Sequence, residues 1–410
     1  MSLICPFRGV RPTANCAADV LAPPYDVLNT EEARQRASGR PRSFLHISKP
    51  EIDLPTDTNP YDASVYAMGA RNFQTLIKEG VLIRESTPCY YAYRLIMGQH
   101  QQTGLVAVAS VADYNSNRIR KHEFTRPDKE DDRVRQIDAL NAQTGPVFLT
   151  YRRNIVVDEI MRAVGNTKPE YDLTADDGVQ HTFWVIKDAT QIDTLTKTFE
   201  AMNCLYIADG HHRSAAAARV AAMRQGQSKV ESNAAYNYFL AVLFPDNQMQ
   251  ILDYNRLIRD LNGLDTEAFK QRIAQAFSVT TQATAVKPQR AGEFGMYLSG
   301  QWYRLQIKPA LIPQQNPVGR LDVSLLQNNL ISPILGIADP RRDKRIDFVG
   351  GIRGLPELER RVNSGEMKVA FALYPTQLID LMAVADAGEV MPPKSTWFEP
   401  KLADGLVSHI

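Results

Sequence analysis

The chain has little of what would mark it as secreted, membrane-spanning or bound to nucleic acid. It holds four cysteines, Cys5, Cys16, Cys89 and Cys204, at spacings that suggest no pairing. That argues against a disulfide framework and suits buried thiols in a reducing cytoplasm, the expected location. No apolar run approaches the roughly 18 residues of a membrane span, and the opening Met-Ser-Leu-Ile-Cys-Pro-Phe-Arg lacks the form of a signal peptide. Charges of one sign never cluster, and the net charge is +1, so general nucleic-acid binding finds no electrostatic support. Internal repeats, His-Glu-x-x-His and paired-cysteine metal motifs are also missing. What remains is an ordinary globular composition, 44% hydrophobic and 23% charged over 410 residues, enough for two domains or one large domain with insertions.

Short strand and helix patterns alternate along it. Residues 1–28 read as irregular, followed by a helix that Thr30 caps and Glu31 and Glu32 acidify in the usual way. Helices are expected over 60–80, 131–142, 156–164, 190–202, 265–277, 321–332, 355–363 and 376–387. Hairpins are expected from Cys89–Met97 with Gly104–Tyr114, from Tyr236–Phe244 with Met249–Asp253, and from Gly295–Ser299 with Trp302–Ile307. Further strands are read at 146–152, 181–186, 204–208, 346–349 and 367–373. Hairpins mixed with helices indicate an α+β fold with mixed, largely antiparallel sheets and flanking helices. Three segments are expected: an N-terminal lobe 1–150, a central lobe 151–310 and a C-terminal segment 311–410 closing over the site. The Pro- and Gln-rich stretch Lys308–Val318 is the best linker candidate.

The most informative stretch is Leu205-Tyr206-Ile207-Ala208-Asp209-Gly210-His211-His212-Arg213, followed by Ser214 and an alanine-rich run to Met223. A strand ends at an Asp-Gly turn and a helix begins on two histidines and an arginine. Helix N-termini carry about half a positive charge and four unpaired N–H groups, so cations there are disfavoured by about 0.3–1 kcal/mol each when charged. The pattern makes sense if an anion sits in the turn, held by backbone N–H groups, Arg213 and the imidazoles: a phosphate cradle. Two other readings stand beside it. Asp209 can simply cap the helix while His211 and His212 stay solvated. Asp209, His211 or His212 can ligate a metal, but adjacent helical histidines point about 100° apart and need outside ligands.

Four other segments are built for chemistry. Ala22-Pro23-Pro24-Tyr25-Asp26-Val27 stiffens the backbone ahead of Asp26, a general base or magnesium ligand, or else an Asx turn. Arg120-Lys121-His122-Glu123-Phe124-Thr125, with Asp131, Asp132 and Arg133 close behind, offers a proton acceptor and partner, or a solvated loop. Asp253-Tyr254-Asn255-Arg256 places a guanidinium for a phosphate or carboxylate, or for a surface ion pair. Met391 to Lys401 sets Lys394, Ser395 and Lys401 among prolines and aromatics, an anion-binding strip or a tail strapped over the core.

Together, Pro6-Phe7-Arg8-Gly9, Ala22 to Val27, His122-Glu123 with Thr125, Ala208 to Arg213 and Met391 to Lys401 resemble the bacterial and archaeal domain-of-unknown-function family 1015 over nearly the whole chain. Asn255 stands where that family suggests histidine, and Lys121 where it suggests arginine. The Asp-Gly-His-His-Arg turn is locally similar to the strand–turn–helix phosphate-binding unit of the ParB/sulfiredoxin-like superfamily, whose free-serine kinases carry a closely similar stretch.

These resemblances imply a nucleotide-dependent phosphotransferase acting on a small hydroxyl metabolite, with free L-serine the leading substrate. ATP or ADP and Mg2+ would be its cofactors. Gly210, His211, His212, Arg213 and Ser214 would hold the phosphates. Asp209, Glu123 or Asp26 would serve as base, with His122 beside Glu123, and Asp209 or Asp26 could ligate magnesium. Arg256, Lys394, Ser395, Lys401 and Arg133 would bind the substrate. The expected partners are a nucleotide and a small molecule, without nucleic acid or membrane, and homodimerisation is left open. A non-catalytic ParB-like nucleotide-binding regulator and a small-molecule phosphatase are the alternatives.

Overall fold

The structure is a computed structural model that describes residues 2–226 and 234–410. The chain divides into two compact units: residues 1–249 with 400–410, and residues 250–399. The three expected segments do not follow this division. Strands from both sides of residue 150 share one sheet, and Lys308–Val318 lies inside the second unit.

The first unit is built on a nine-stranded mixed sheet. In order it runs Ile119–Arg120, Leu205–Asp209, Val147–Tyr151, Tyr238–Pro245, His100–Ser110, Tyr90–Met97, Gln180–Ile186 and Tyr171–Thr174, with Ile4–Cys5 beside His100–Ser110. The expected hairpin of Tyr90–Met97 with His100–Ser110 is present, with Tyr91 opposite Val106. The expected partnership of Tyr236–Phe244 with Met249–Asp253 is not. Tyr238–Pro245 is buried throughout, pairing parallel to Val147–Tyr151 and antiparallel to His100–Ser110, while Gln250–Leu252 pairs with Trp397–Glu399. Its unbroken apolar run is the mark of a strand covered on both faces, whose partners come from elsewhere in the chain.

Helices Ile155–Gly165, Ala189–Glu200 and His211–Gln225 put Val157, Met161, Leu195, Phe199, Ala217 and Ala221 into one core with the sheet. The helix Pro127–Leu140 packs Val134 against Ala216 and Val220 of His211–Gln225, where small side chains let two helices approach. Arg219 pairs with Asp131 and Glu130, and Arg224 with Asp138, along the same seam. The region read as irregular holds a short helix, Ala17–Val20, and the next helix, Thr30–Ala37, is capped by Asn29 instead of Thr30.

The second unit carries a six-stranded, wholly antiparallel sheet: Phe277–Gln282, Gln301–Ile307, Glu293–Leu298, Val369–Leu373, Tyr254–Ile258 and Ile346–Gly350. Its hairpin Glu293–Leu298 with Gln301–Ile307 matches the expected one. The helix expected over 321–332 is present as a continuous helical run from Asp322 to Leu335, with a π segment at Gln327–Ile331. The fold is therefore α+β with mixed, largely antiparallel sheets. No described helix is long and apolar enough to cross a membrane.

Candidate functional site

Strand Leu205–Asp209 runs buried beside Val147–Tyr151, breaks register between Ile207 and Asp209, and hands over to the helix at Gly210. Gly210 sits at φ 98°, a left-handed conformation that favours glycine. A Cβ there would also stand 3.1 Å from Arg213 Nε and 3.3 Å from Val147 Cα. No side chain caps the helix that follows.

Asp209 does not cap it either. One carboxylate oxygen accepts from the Gly210 N–H at 2.8 Å; the other accepts from Lys401 Nζ at 3.1 Å and lies 3.9 Å from Arg213 Nη2. Burial opposes ionisation, but Lys401 and Arg213 outweigh it and hold the Asp209 carboxyl well below the usual range. A carboxylate so stabilised is a poor base, and its engaged oxygens make it a poor magnesium ligand. Asp209 is the anchor of the turn.

The two histidines are not cations. His211 is buried, and its Nε2 accepts from the His122 N–H at 3.4 Å. His212 Nε2 accepts from the Arg126 N–H at 3.0 Å. Burial lowers the pKa of both, His122 adding to the effect on His211. The dipole argument therefore applies to Arg213 alone. Instead of waiting charged for an anion, the imidazoles pin the segment 122–126 to the helix start. Ser214 is likewise turned inward, its hydroxyl donating to the His211 carbonyl at 3.0 Å.

Strand pairing explains how His122 and Glu123 arrive. Ile119 and Arg120 lie parallel beside Leu205 and Tyr206, so the chain leaves that strand at the turn. The His122 and His211 rings meet edge to face with centroids 4.5 Å apart, and Glu123 Oε2 lies 3.9 Å from His211 Nδ1. Burial lowers His122 to about 4, although the Ile207 carbonyl and Asp209 pull the other way. That carbonyl falls short of hydrogen-bond geometry, for neither His122 ring nitrogen has a partner. Lys121, standing for the expected arginine, donates to the Tyr114 carbonyl at 3.0 Å.

Asp26 also comes near, by a route the sequence does not display. Ala22 and Asp404 exchange backbone hydrogen bonds of 3.2 and 2.9 Å, pinning the proline segment to the C-terminal strap. Tyr25 then lies under the Arg133 guanidinium at 4.0 Å, and Arg133 pairs with Asp132 at 2.6 Å. Burial pushes the Tyr25 phenol up to about 12, with Arg133 opposing. Asp26 is exposed, acts electrostatically on Arg213 and Asp404, and has no hydrogen-bond or ion-pair partner among the described residues.

A small cavity of about 30 Å³ lies here, lined by Tyr25, Arg133, Thr144, Gly145, Arg213 and Asp404 among others. Arg213 reaches it by donating to the Pro146 carbonyl, and Asp209 and Asp26 hold it charged against the cost of burial. Asp404 carries no chemical motif that marks it in the sequence. It is 2% exposed, its Oδ1 has no partner, and burial raises its pKa to about 7 against the pull of Arg213 and Arg133. A signal existed: Asp404-Gly405 repeats Asp209-Gly210, with both glycines at positive φ, 93° and 98°.

Arg256, Lys394 and Ser395 belong to the second unit. Arg256 is buried, donates to the Tyr254 carbonyl and lies 5.2 Å from the Phe348 ring centre; burial lowers it to about 10. It is no surface ion pair. Asn255, in place of the expected histidine, accepts from the Leu373 N–H at 3.0 Å and ties two strands together. Lys394 has φ 60°, and the Ser395 hydroxyl donates to the Pro392 carbonyl at 2.6 Å, closing a turn.

Comparison with known proteins gives the family and little else. The chain resembles a free serine kinase solved with AMP at 12% identity and a TM-score of 0.35, covering 73% of this chain and 92% of that one. It resembles a conserved hypothetical protein from Pyrococcus furiosus at 14% identity and 0.34, covering 73% and 94%. C-terminally truncated SbnI from Staphylococcus aureus gives 12% and 0.31, covering 72% and 84%. No curated protein matches the sequence. Residues 4–324 match the family described as protein of unknown function (DUF1015), and the chain belongs to that family.

Proposed function

We propose that the first unit is a nucleotide-dependent phosphotransferase acting on the hydroxyl of a small metabolite, with L-serine the leading substrate and ATP or ADP the donor. The observation that carries this reading is the uncapped helix start at Gly210 with Arg213 held beside it. Backbone N–H groups and one fixed guanidinium give the positioning and charge stabilisation on which phosphoryl transfer depends. Magnesium carried on the nucleotide phosphates would supply further neutralisation there.

The roles differ from those expected. Asp209 fixes the turn through Gly210 and Lys401. Asp26, exposed and unpartnered near Arg213, takes the hydroxyl proton. Arg133, held flat on Tyr25, receives the substrate carboxylate. His211 and His212, being neutral, order the 122–126 segment and leave phosphate charge to Arg213.

Phosphorus NMR with magnesium, L-serine and ATP or ADP tests the reading, with Arg213→Ala alongside. Phosphoserine from the wild type alone is expected. Shifted nucleotide signals without product would make the protein a nucleotide-binding regulator, and phosphate release without serine a phosphatase. Unperturbed signals would remove the nucleotide altogether.

A further inference from the structure

We propose that His122, His211 and Glu123 form a binding site for a divalent first-row transition-metal ion, of the class of Zn2+, Mn2+ or Fe2+. One ligand atom from each of the three lies within 4.8 Å of the others. They come from two segments joined by the pairing of Ile119–Arg120 with Leu205–Tyr206, and Glu123 Oε2 lies 3.9 Å from His211 Nδ1. Glu123 is about half exposed, so it has room to move, while the imidazoles are buried and fixed.

His122 is the independent sign of a ligand. It is 2% exposed, and both ring nitrogens lack a partner. A neutral imidazole carries one donor and one lone pair, and buried polar groups are almost always satisfied. A metal ion satisfies the lone pair. At His211, ion entry displaces one contact, the long 3.4 Å approach of the His122 N–H to Nε2.

The donor set selects the ion. Two imidazoles and one carboxylate suit zinc, manganese or iron, whereas magnesium demands oxygen and keeps its water. Three protein ligands leave coordination positions open, the arrangement of reactive rather than purely structural sites. The outside ligands that adjacent His211 and His212 would need are therefore supplied by His122 and Glu123, with His212 turned away to the Arg126 N–H. This inference does not rest on phosphoryl transfer, since it concerns three side chains and an ion.

The test uses the full chain, stripped with a chelator and titrated with Zn2+ against a coloured competitor, with Co2+ absorption as a second readout. One tight equivalent per chain is expected, undisturbed by a large excess of Mg2+. Glu123→Gln should weaken it by about tenfold or more, and His211→Ala further. Glu123 is exposed enough that its variant folds, and thermal denaturation with and without Zn2+ checks this: the ion should raise the wild-type midpoint more than that of Glu123→Gln. No stoichiometric uptake, or an equivalent that survives both Glu123→Gln and His211→Ala, overturns the site. Neither nucleotide nor serine is present, so failure here leaves the phosphotransfer reading standing, and the reverse holds too.

Discussion

Two helices of the first unit begin in opposite ways. Thr30–Ala37 starts on Asn29, whose side chain accepts from the Glu32 N–H while Glu32 reaches back to the Asn29 N–H, with Glu31 adding a second acid to the first turn. Every device there neutralises the positive end of a dipole. His211–Gln225 starts on a left-handed glycine with no cap, no acid in its first turn and Arg213 instead. The first helix is complete by itself. The second has its terminus arranged by distant parts of the chain: Lys401 on Asp209, the 122–126 segment on two imidazoles, Asp404 beside Arg213. On the proposed function, that open helix end is where a phosphate sits.

The largest test of that contrast is Arg213→Ala. If the guanidinium grips a phosphate out of water, nucleotide affinity by calorimetry should fall by about 2–5 kcal/mol. An unchanged affinity would leave the second helix start without an anion to hold. Gly210→Ala comes next. Its φ of 98° and the 3.1 Å approach to Arg213 should lower stability in urea by about 1–2 kcal/mol and weaken nucleotide binding as Arg213 is displaced.

Asp404→Asn sharpens the comparison through pH. The folded-state pKa of about 7 stands above the ordinary 3.8, so between those values the folded chain keeps a proton that the unfolded chain releases. Wild-type stability from this group therefore falls as pH rises from about 4 to 7 and is level above. The variant's stability relative to wild type should be greater at pH 8 than at pH 5 by on the order of a kcal/mol, read as a relative rise in its thermal midpoint. A constant difference would mean that Arg213 and Arg133 keep Asp404 ionised throughout. The smallest effect belongs to the self-contained helix: Asn29→Ala should cost about 1 kcal/mol of stability and leave nucleotide binding untouched.

The parts that were legible are those whose cause is local. Leu205 to Met223 could be read as strand, turn and helix because an apolar run, a glycine and an alanine run each act over a few residues. The hairpins at Tyr90–Met97 and Glu293–Leu298 were legible for the same reason, each partner following within a short turn. The partners of Tyr238–Pro245 are not legible, because an apolar run says that a strand is buried, not which strands cover it. The roles of His211 and His212 are hidden from the sequence for a different reason. Sequence shows two imidazoles at a positive helix end, but only burial and the N–H groups of His122 and Arg126 make them neutral acceptors.

By itself the sequence determined the α+β class, the family, and the strand–Gly210–helix unit with Arg213 at its start, since each depends on short-range pattern or on residue identity. Tertiary structure decided the rest. It assigned the carboxylates their separate states, Asp209 fixed by Lys401, Asp404 held near neutral pH and Asp26 left open to solvent. It also brought His122 and Glu123 to His211. Charge state depends on burial and on neighbours within a few ångströms, and those neighbours are set by sheet order and by the return of residues 400–410 to the first unit.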